Sequence, residues 1–176
     1  MKLYGKTIVP GEDLSQSARA LLREALGLET LPELRTNEYG KPYLPGGPQF
    51  SLSHTRGAVA AAIGTGPVGV DLERVRPLKA KLPQRVLSPS ELAWFQDRGQ
   101  RPEDFFTLWT LKESYYKYLG TGLRGFPNRT EFWLEGETWR LRGTELTFWT
   151  GRKGALLLAL CGEEQLEEFS WNGSSD

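Results

Sequence analysis

Asp71 and Glu73 stand one residue apart in "GVDLERVRP", at the end of an apolar run that reads as a strand. Side chains at i and i+2 of a strand share a face, with Cβ atoms roughly 7 Å apart. Two carboxylates that close repel unless a cation lies between them or they share a proton. The spacing alone fits equally a strand running out into a solvated turn, so a second element has to decide. In "DFFTLWTLKESYYKYLG" the residues Phe105, Leu108, Trp109, Leu111, Tyr115, Tyr116, Tyr118 and Leu119 cover well over half of a helix circumference. That pattern predicts a mostly buried helix. The remaining arc holds Thr107, Thr110 and Ser114 together with Glu113 and Lys117. Glu113 and Lys117 are i, i+4 neighbours, and as an ordinary helix ion pair they would contribute about 0.2–0.5 kcal/mol. Lys112 projects into the apolar arc, where it must snorkel or meet a negative partner.

Asp71, Glu73 and Glu113 together make a set of three carboxylates, with Lys112 and Lys117 close by in sequence. Mg²⁺ takes oxygen ligands in octahedral geometry, commonly one or two carboxylates plus substrate phosphate oxygens. A further carboxylate beside such a metal can bind it or take a proton from an attacking hydroxyl. A nearby ammonium can neutralise charge on a transferring phosphoryl group. The chemistry indicated is phosphoryl transfer, with a metal-dependent phosphodiesterase or nuclease as the rival reading.

The elements that must position these groups are legible in outline. "DLSQSARALLREALG" reads as a helix capped by Asp13, with Leu14, Ala18, Leu21, Leu22 and Ala25 on one face, Arg19 and Arg23 on another, and Gly27 at its end. "NEYGKPYLPGGP" reads as a loop. Ala58 to Ile63 and Val68 to Leu72 are expected to form a hairpin around "GTGP". Ser88, Pro89 and Glu91 mark a helix start with a capping box. Short aromatic-rich strands follow residue 126, and the tail "NGSSD" reads as disordered. "GAVAAAIG" and "GALLLALCG" echo one another, each running from Gly-Ala to Gly, which would fit two similar halves packed together.

With 176 residues, 39% hydrophobic and 11% aromatic, the chain can bury a proper core. Lys plus Arg and Asp plus Glu each number 22, and this balance argues against a dedicated nucleic-acid binder and so against the nuclease. A single cysteine, Cys161, excludes an intramolecular disulfide and a cysteine-rich metal site. "MKLYGKTIVPGEDL" lacks a signal-peptide core, and no apolar run approaches a membrane span. The expectation is a cytoplasmic protein with no membrane or nucleic-acid partner.

The paired stretches "GVDLERVRP" and "LWTLKESYYKYLGTGL" resemble the signatures G-[IV]-D-x-E and W-x-x-K-E-[SA]-x-x-K of the 4′-phosphopantetheinyl transferases. "NEYGKPYLP" and "FSLSHT" resemble two further elements, in order, of the Sfp-type (surfactin-synthetase-activating) branch, and the resemblance spans roughly residues 13 to 162. It implies an enzyme that moves 4′-phosphopantetheine from coenzyme A onto a serine of an apo acyl or peptidyl carrier protein, with Mg²⁺, leaving adenosine 3′,5′-bisphosphate. It implies an α+β fold of two similar α/β halves related by a pseudo-twofold, here residues 1–76 and 77–170, with 171–176 as the tail. By position, Asp71, Glu73 and Glu113 resemble the metal carboxylates, Glu113 also the base toward the carrier serine, and Lys117 the phosphate-stabilising lysine. Gly40, Lys41 and Pro42 match the loop along the nucleotide, Ser53 and His54 the phosphate-binding pair, and Arg19 an arginine reaching the 3′-phosphate. Two halves in one chain imply a monomer.

The region ahead of Asp13 lacks the branch's basic segment, which implies weaker affinity for coenzyme A. Leu72 between the two acids leaves a water to complete that side of the metal shell. A carrier is expected to dock near "GTGLRGFPNRT", on Leu123 and Phe126 around Arg124. A non-catalytic carrier-binding relative is the other rival, against which the intact Asp71, Glu73, Glu113 and Lys117 weigh.

Overall fold

The computed structural model describes residues 1–123 and 127–173; Arg124 and Phe126, and the last residues of the expected tail, lie outside the described residues. The chain opens with strand β1 (Lys2–Thr7) and helix α1 (Leu14–Ala25), then the short ribbon β2 (Arg35–Thr36) and β3 (Pro42–Tyr43). Strands β4 (Gln49–Thr55), β5 (Ala58–Gly64) and β6 (Val68–Arg74) follow. Helices α2 (Leu82–Val86), α3 (Pro89–Asp97) and α4 (Pro102–Leu119) lead to a 3₁₀ turn at Pro127–Arg129 and a second ribbon, β7 (Phe132–Glu135) and β8 (Thr138–Leu141). Strands β9 (Thr147–Lys153), β10 (Leu156–Gly162) and β11 (Glu168–Asn172) complete it.

The helix signals act as read. The Asp13 carboxylate accepts from Ser15 N and Gln16 N, and both capping-box bonds of Ser88 and Glu91 are present. Gly120, with φ 72°, closes α4 in the left-handed conformation that glycine adopts without a Cβ penalty.

The strands form two sheets, in the orders β11-β1-β5-β4 and β6-β10-β9. The expected hairpin between the fifth and sixth strands does not exist. β5 is paired on both edges, with β1 and β4, and β6 pairs with β10. Two consecutive apolar runs look like a hairpin when each is in fact the partner of a strand remote in sequence. Residues 65–67 carry the chain from one sheet to the other, and the Glu164 carboxylate accepts from Thr65 N and Gly66 N, both at 3.0 Å. By pairing, the change of sheet therefore falls ahead of the expected 76/77 boundary, and Asp71 and Glu73 ride on the second sheet. At the other end Trp171 and Asn172 lie in β11, parallel to β1, so the strand runs into the segment read as a tail.

A repeat is visible in the order of elements. β1-α1-ribbon-β4-β5 is followed by β6-α4-ribbon-β9-β10, and in each the last strand lies at the centre of its sheet trio. "GAVAAAIG" and "GALLLALCG" supply β5 and β10, the two equivalent central strands. The echo in sequence is thus an echo in topology.

Three apolar layers hold this arrangement. Ala18, Leu21 and Leu22 of α1 pack on Val59 and Ala61 of β5. Ala58, Ala60 and Ala62 on the other face of β5 meet Val70 and Leu72 of β6 and Leu158 and Leu160 of β10. Leu157, Ala159 and Cys161, on the far face of β10, pack under Phe105, Leu108 and Leu111 of α4. β5 and β10 are covered on both faces, hence their unbroken apolar runs.

The even residues of β6 thus face the inner layer, and the odd ones, Gly69, Asp71 and Glu73, face α4. Gly69 explains how close the helix comes. A Cβ there would lie 1.9 Å from Ser114 O and 2.4 Å from Tyr118 N, both backbone atoms of α4. Gly69→Ala must push the helix off the strand and should cost about 3 kcal/mol, at the upper end for overpacking a core. The urea midpoint measures it, and an unchanged midpoint would mean that α4 can lift freely.

Candidate active site

Trp109, Glu113 and Lys117 recur every fourth residue on α4 and so form one stripe, which lies over the acidic face of β6. Lys117 Nζ donates to Asp71 Oδ1 at 2.8 Å and to Ser53 Oγ at 2.9 Å. Ser53 Oγ in turn donates to Asp71 Oδ1 at 2.9 Å and accepts from Leu72 N at 3.1 Å. Lys117 therefore spends its charge across the strand on Asp71, not along the helix on Glu113. The reading of Glu113 and Lys117 as a plain helix ion pair does not survive.

Asp71 is 5% exposed, and its Oδ2 is buried with no hydrogen-bond partner. An unsatisfied buried carboxylate oxygen is costly, and a bound cation would satisfy it. Glu113 makes no hydrogen bond or ion pair among the described residues. Its carboxyl is pushed up to about 7, first by burial and then by the negative charge of Asp71, with Lys117 opposing and Glu73 adding. A carboxyl poised there can accept a proton near neutrality.

Glu73 is held differently. Trp109 Nε1 donates to its Oε1 at 3.1 Å and Arg76 Nη1 to its Oε2 at 2.8 Å. Both oxygens are occupied, so the structure does not present Glu73 as an open ligand beside Asp71. Among the described residues no three His, Cys, Asp or Glu side chains converge to hold a metal by themselves. A cation here would need Asp71, Glu113 and oxygen atoms from a substrate or water, the mixed shell that Mg²⁺ favours.

Lys112 belongs to a different construction. Its Nζ pairs with Glu91 Oε2 at 2.8 Å, both side chains being 1% exposed, and it donates to the carbonyls of Pro127 and Thr130. Burial lowers its pKa, and the Glu91 charge opposes that. Glu91 Oε1 also accepts from Phe132 N at 2.8 Å. The pair ties α3, α4 and the start of β7 together behind the Trp109–Glu113–Lys117 stripe.

The expected nucleotide-binding residues separate. Ser53 is buried at the Asp71–Lys117 cluster, while His54, the next residue of β4, is exposed on the opposite, α1-facing side. Adjacent strand residues point to opposite faces, so the two do not converge as a pair. Arg19 lines a cavity of about 560 Å³ between α1 and residues 31–34. Lys41 is elsewhere: its Nζ donates to Val68 O at 3.0 Å, and burial pushes it down to about 8. Val68 and Leu72 are four residues apart, roughly 13 Å along β6, and Ser53 binds at Leu72, so Lys41 stands well away from His54. Gly40 (φ 88°) turns the loop, and Lys41 and Pro42 wall a cavity of about 300 Å³ with Asn37, Pro67, Tyr118 and Gly120.

Sequence reasoning missed three groups. Arg76 and Trp109 hold Glu73, and Asn37 fastens the Lys41 loop to the end of α4: its Oδ1 accepts from Tyr39 N and Lys41 N, and its Nδ2 donates to Gly120 O at 2.7 Å. For Trp109 the signal was its place four residues before Glu113. For Asn37 and Arg76 only the packing of elements could show the role.

The family model of the 4′-phosphopantetheinyl transferase superfamily matches residues 67–161. The chain is 37% identical over 103 residues to the 4′-phosphopantetheinyl transferase gsp of Aneurinibacillus migulanus, covering 57% of this chain and 43% of that protein. It is 35% identical over 92 residues to the 4′-phosphopantetheinyl transferase Sfp of Bacillus subtilis, covering 50% and 41%. The chain thus spans less than half the length of these relatives. A crystal structure of Thermotoga maritima holo-[acyl-carrier-protein] synthase superposes with a TM-score of 0.48 at 27% identity, over 54% of this chain and 61% of that one. The segment that the family model matches runs from just before β6 into the last residues of β10 and contains the whole acidic face of β6 and the whole α4 stripe. The chain belongs to the 4′-phosphopantetheinyl transferase superfamily.

Proposed function

We propose that the protein transfers 4′-phosphopantetheine from coenzyme A to a serine of an apo acyl or peptidyl carrier protein, with one chain supplying the site. The observation that carries this is the stripe of Glu113 and Lys117 over a buried Asp71 with one unsatisfied oxygen. Family membership supports the reaction class.

In the step itself the carrier serine oxygen attacks the β-phosphorus of coenzyme A. The bond from that phosphorus to the oxygen bridging to the α-phosphorus breaks, and adenosine 3′,5′-bisphosphate leaves. Glu113, titrating near neutrality, takes the serine proton. The Lys117 ammonium, 2.8 Å from Asp71, offers positive charge to the transferring phosphoryl oxygens. Mg²⁺ fits the free oxygen of Asp71 with Glu113, and when bound it would neutralise pyrophosphate charge. Arg19 and His54, both exposed on the α1 side, are available to the 3′-phosphate, whereas Lys41 serves the loop that walls the smaller cavity.

The test is to incubate the protein with coenzyme A, Mg²⁺ and an apo carrier protein and weigh the carrier. A carrier heavier by one phosphopantetheine group is the expected result. Cleavage of coenzyme A with an unmodified carrier would favour a phosphodiesterase. An unchanged carrier and intact coenzyme A would favour a binding relative.

A further inference from the structure

Asp71 and Glu73, alike in their spacing, are treated oppositely by the fold. Asp71 keeps one buried oxygen unsatisfied, whereas Glu73 has both oxygens engaged. The donor on Oε2 is a full positive charge, the Arg76 guanidinium, which also donates to Arg74 O at 3.0 Å and lies 4.5 Å above the Phe106 ring. The donor on Oε1 is neutral, the Trp109 indole N–H, whose ring is stacked on Phe105 with centroids 6.3 Å apart. One partner is a cation that a metal would repel, and the other is a fixed dipole that it would not.

We propose that Arg76 is a built-in counter-ion which competes with the divalent metal for Glu73, and that Trp109 is a positioning residue keeping Glu73 aimed at the site once Arg76 leaves. The inference rests on the metal reading given above. Without metal, Arg76 offsets the charge of Glu73 beside Asp71. When a dication arrives, repulsion and competition for Oε2 release the arginine. The release is feasible because the Arg76 side chain is 54% exposed against 20% for Glu73, so water can replace the carboxylate at the guanidinium while the Arg74 carbonyl and the Phe106 ring still hold it. The same exposure bounds the effect. A half-exposed ion pair of this kind shifts affinity by no more than about fivefold.

The experiment is Mn²⁺ binding by isothermal titration calorimetry to the whole chain, without coenzyme A or carrier, so that turnover plays no part. Arg76→Gln should bind Mn²⁺ about two- to fivefold more tightly than the wild type. Trp109→Phe keeps the ring stack, loses the N–H, and should bind about two- to fivefold more weakly. In a Glu73→Gln background, adding Arg76→Gln should change nothing, because its target is gone. Unchanged or weaker binding by Arg76→Gln would overturn the proposal. So would equal tightening in both backgrounds, which would make Arg76 a general surface charge and not a competitor for Glu73. Asp71→Asn separates the underlying reading from this one. If that variant binds Mn²⁺ as the wild type does, the metal is not at these carboxylates, and both readings fall together.

Discussion

Glu113→Gln is expected to lower kcat by about 10² to 10⁴, the range for loss of a general base, while the dissociation constant for coenzyme A changes far less. The substitution keeps the shape of the side chain and its place on the α4 stripe, but on the proposed mechanism it removes the proton acceptor. Rapid-quench turnover with saturating carrier, set beside calorimetric binding of coenzyme A, separates the two. Equal losses in binding and turnover would move Glu113 into ground-state binding. The same variant should gain stability. The Glu113 carboxyl sits at about 7 in the fold against an ordinary 4.5, so the folded state holds the extra proton between those values. Stability therefore falls as pH rises through that window. In metal-free buffer at about pH 8, Glu113→Gln should raise the unfolding free energy by about 1–2 kcal/mol, discounted for partial solvent access, and at about pH 4 it should do nothing.

On the proposed mechanism, Asp71→Asn should reduce kcat/KM by about 10³ or more, since a metal ligand and the counter-charge of Lys117 would go together and several kcal/mol of transition-state stabilisation would be at stake. Extra Mg²⁺ should restore little. Stability should move by no more than about 1 kcal/mol, because the native carboxylate already carries a buried oxygen without a partner. The asparagine oxygen still accepts from Ser53 and Lys117. Steady-state kinetics beside a thermal melt checks both halves. Near-wild-type turnover would make Asp71 a structural residue. Only at Glu113 are activity and stability expected to be opposed, since there the variant that loses turnover gains stability.

The helices were legible because their signals are local. Asp13, the Ser88–Glu91 box and Gly120 each act within a turn of chain, and the α4 stripe follows from a fixed angle per residue. The acids of β6 were legible for the same reason, since alternation alone puts Asp71 and Glu73 on one face. Alternation also separates Ser53 from His54. Matching them as a pair by motif overrode a geometric signal that was already in the sequence. The sheet switch at residues 65–67 was not legible, because β5 and β6 are both apolar and consecutive, and only the presence of β1, β4 and β10 as partners decides their pairing. The Lys112–Glu91 pair was half legible. The lysine demanded a negative partner, but which acid would meet it depends on how α3 stacks on α4.

β4 and β6 are the neighbouring edges of two separate sheets, and no backbone ladder joins them. Ser51 Oγ accepts from Val70 N and Ser53 Oγ from Leu72 N, each at 3.1 Å. Across this seam the sheets meet through the shared apolar layer and these two hydroxyl bonds, not through a ladder. Parting a ladder is cooperative, whereas a row of hydroxyl buttons can slip one at a time and close again. The Ser53 hydroxyl also bonds Asp71 and Lys117, so this seam and the candidate site share one side chain. A ligand that straddles the two sheets and displaces β4 would therefore disturb the bonds that hold Lys117.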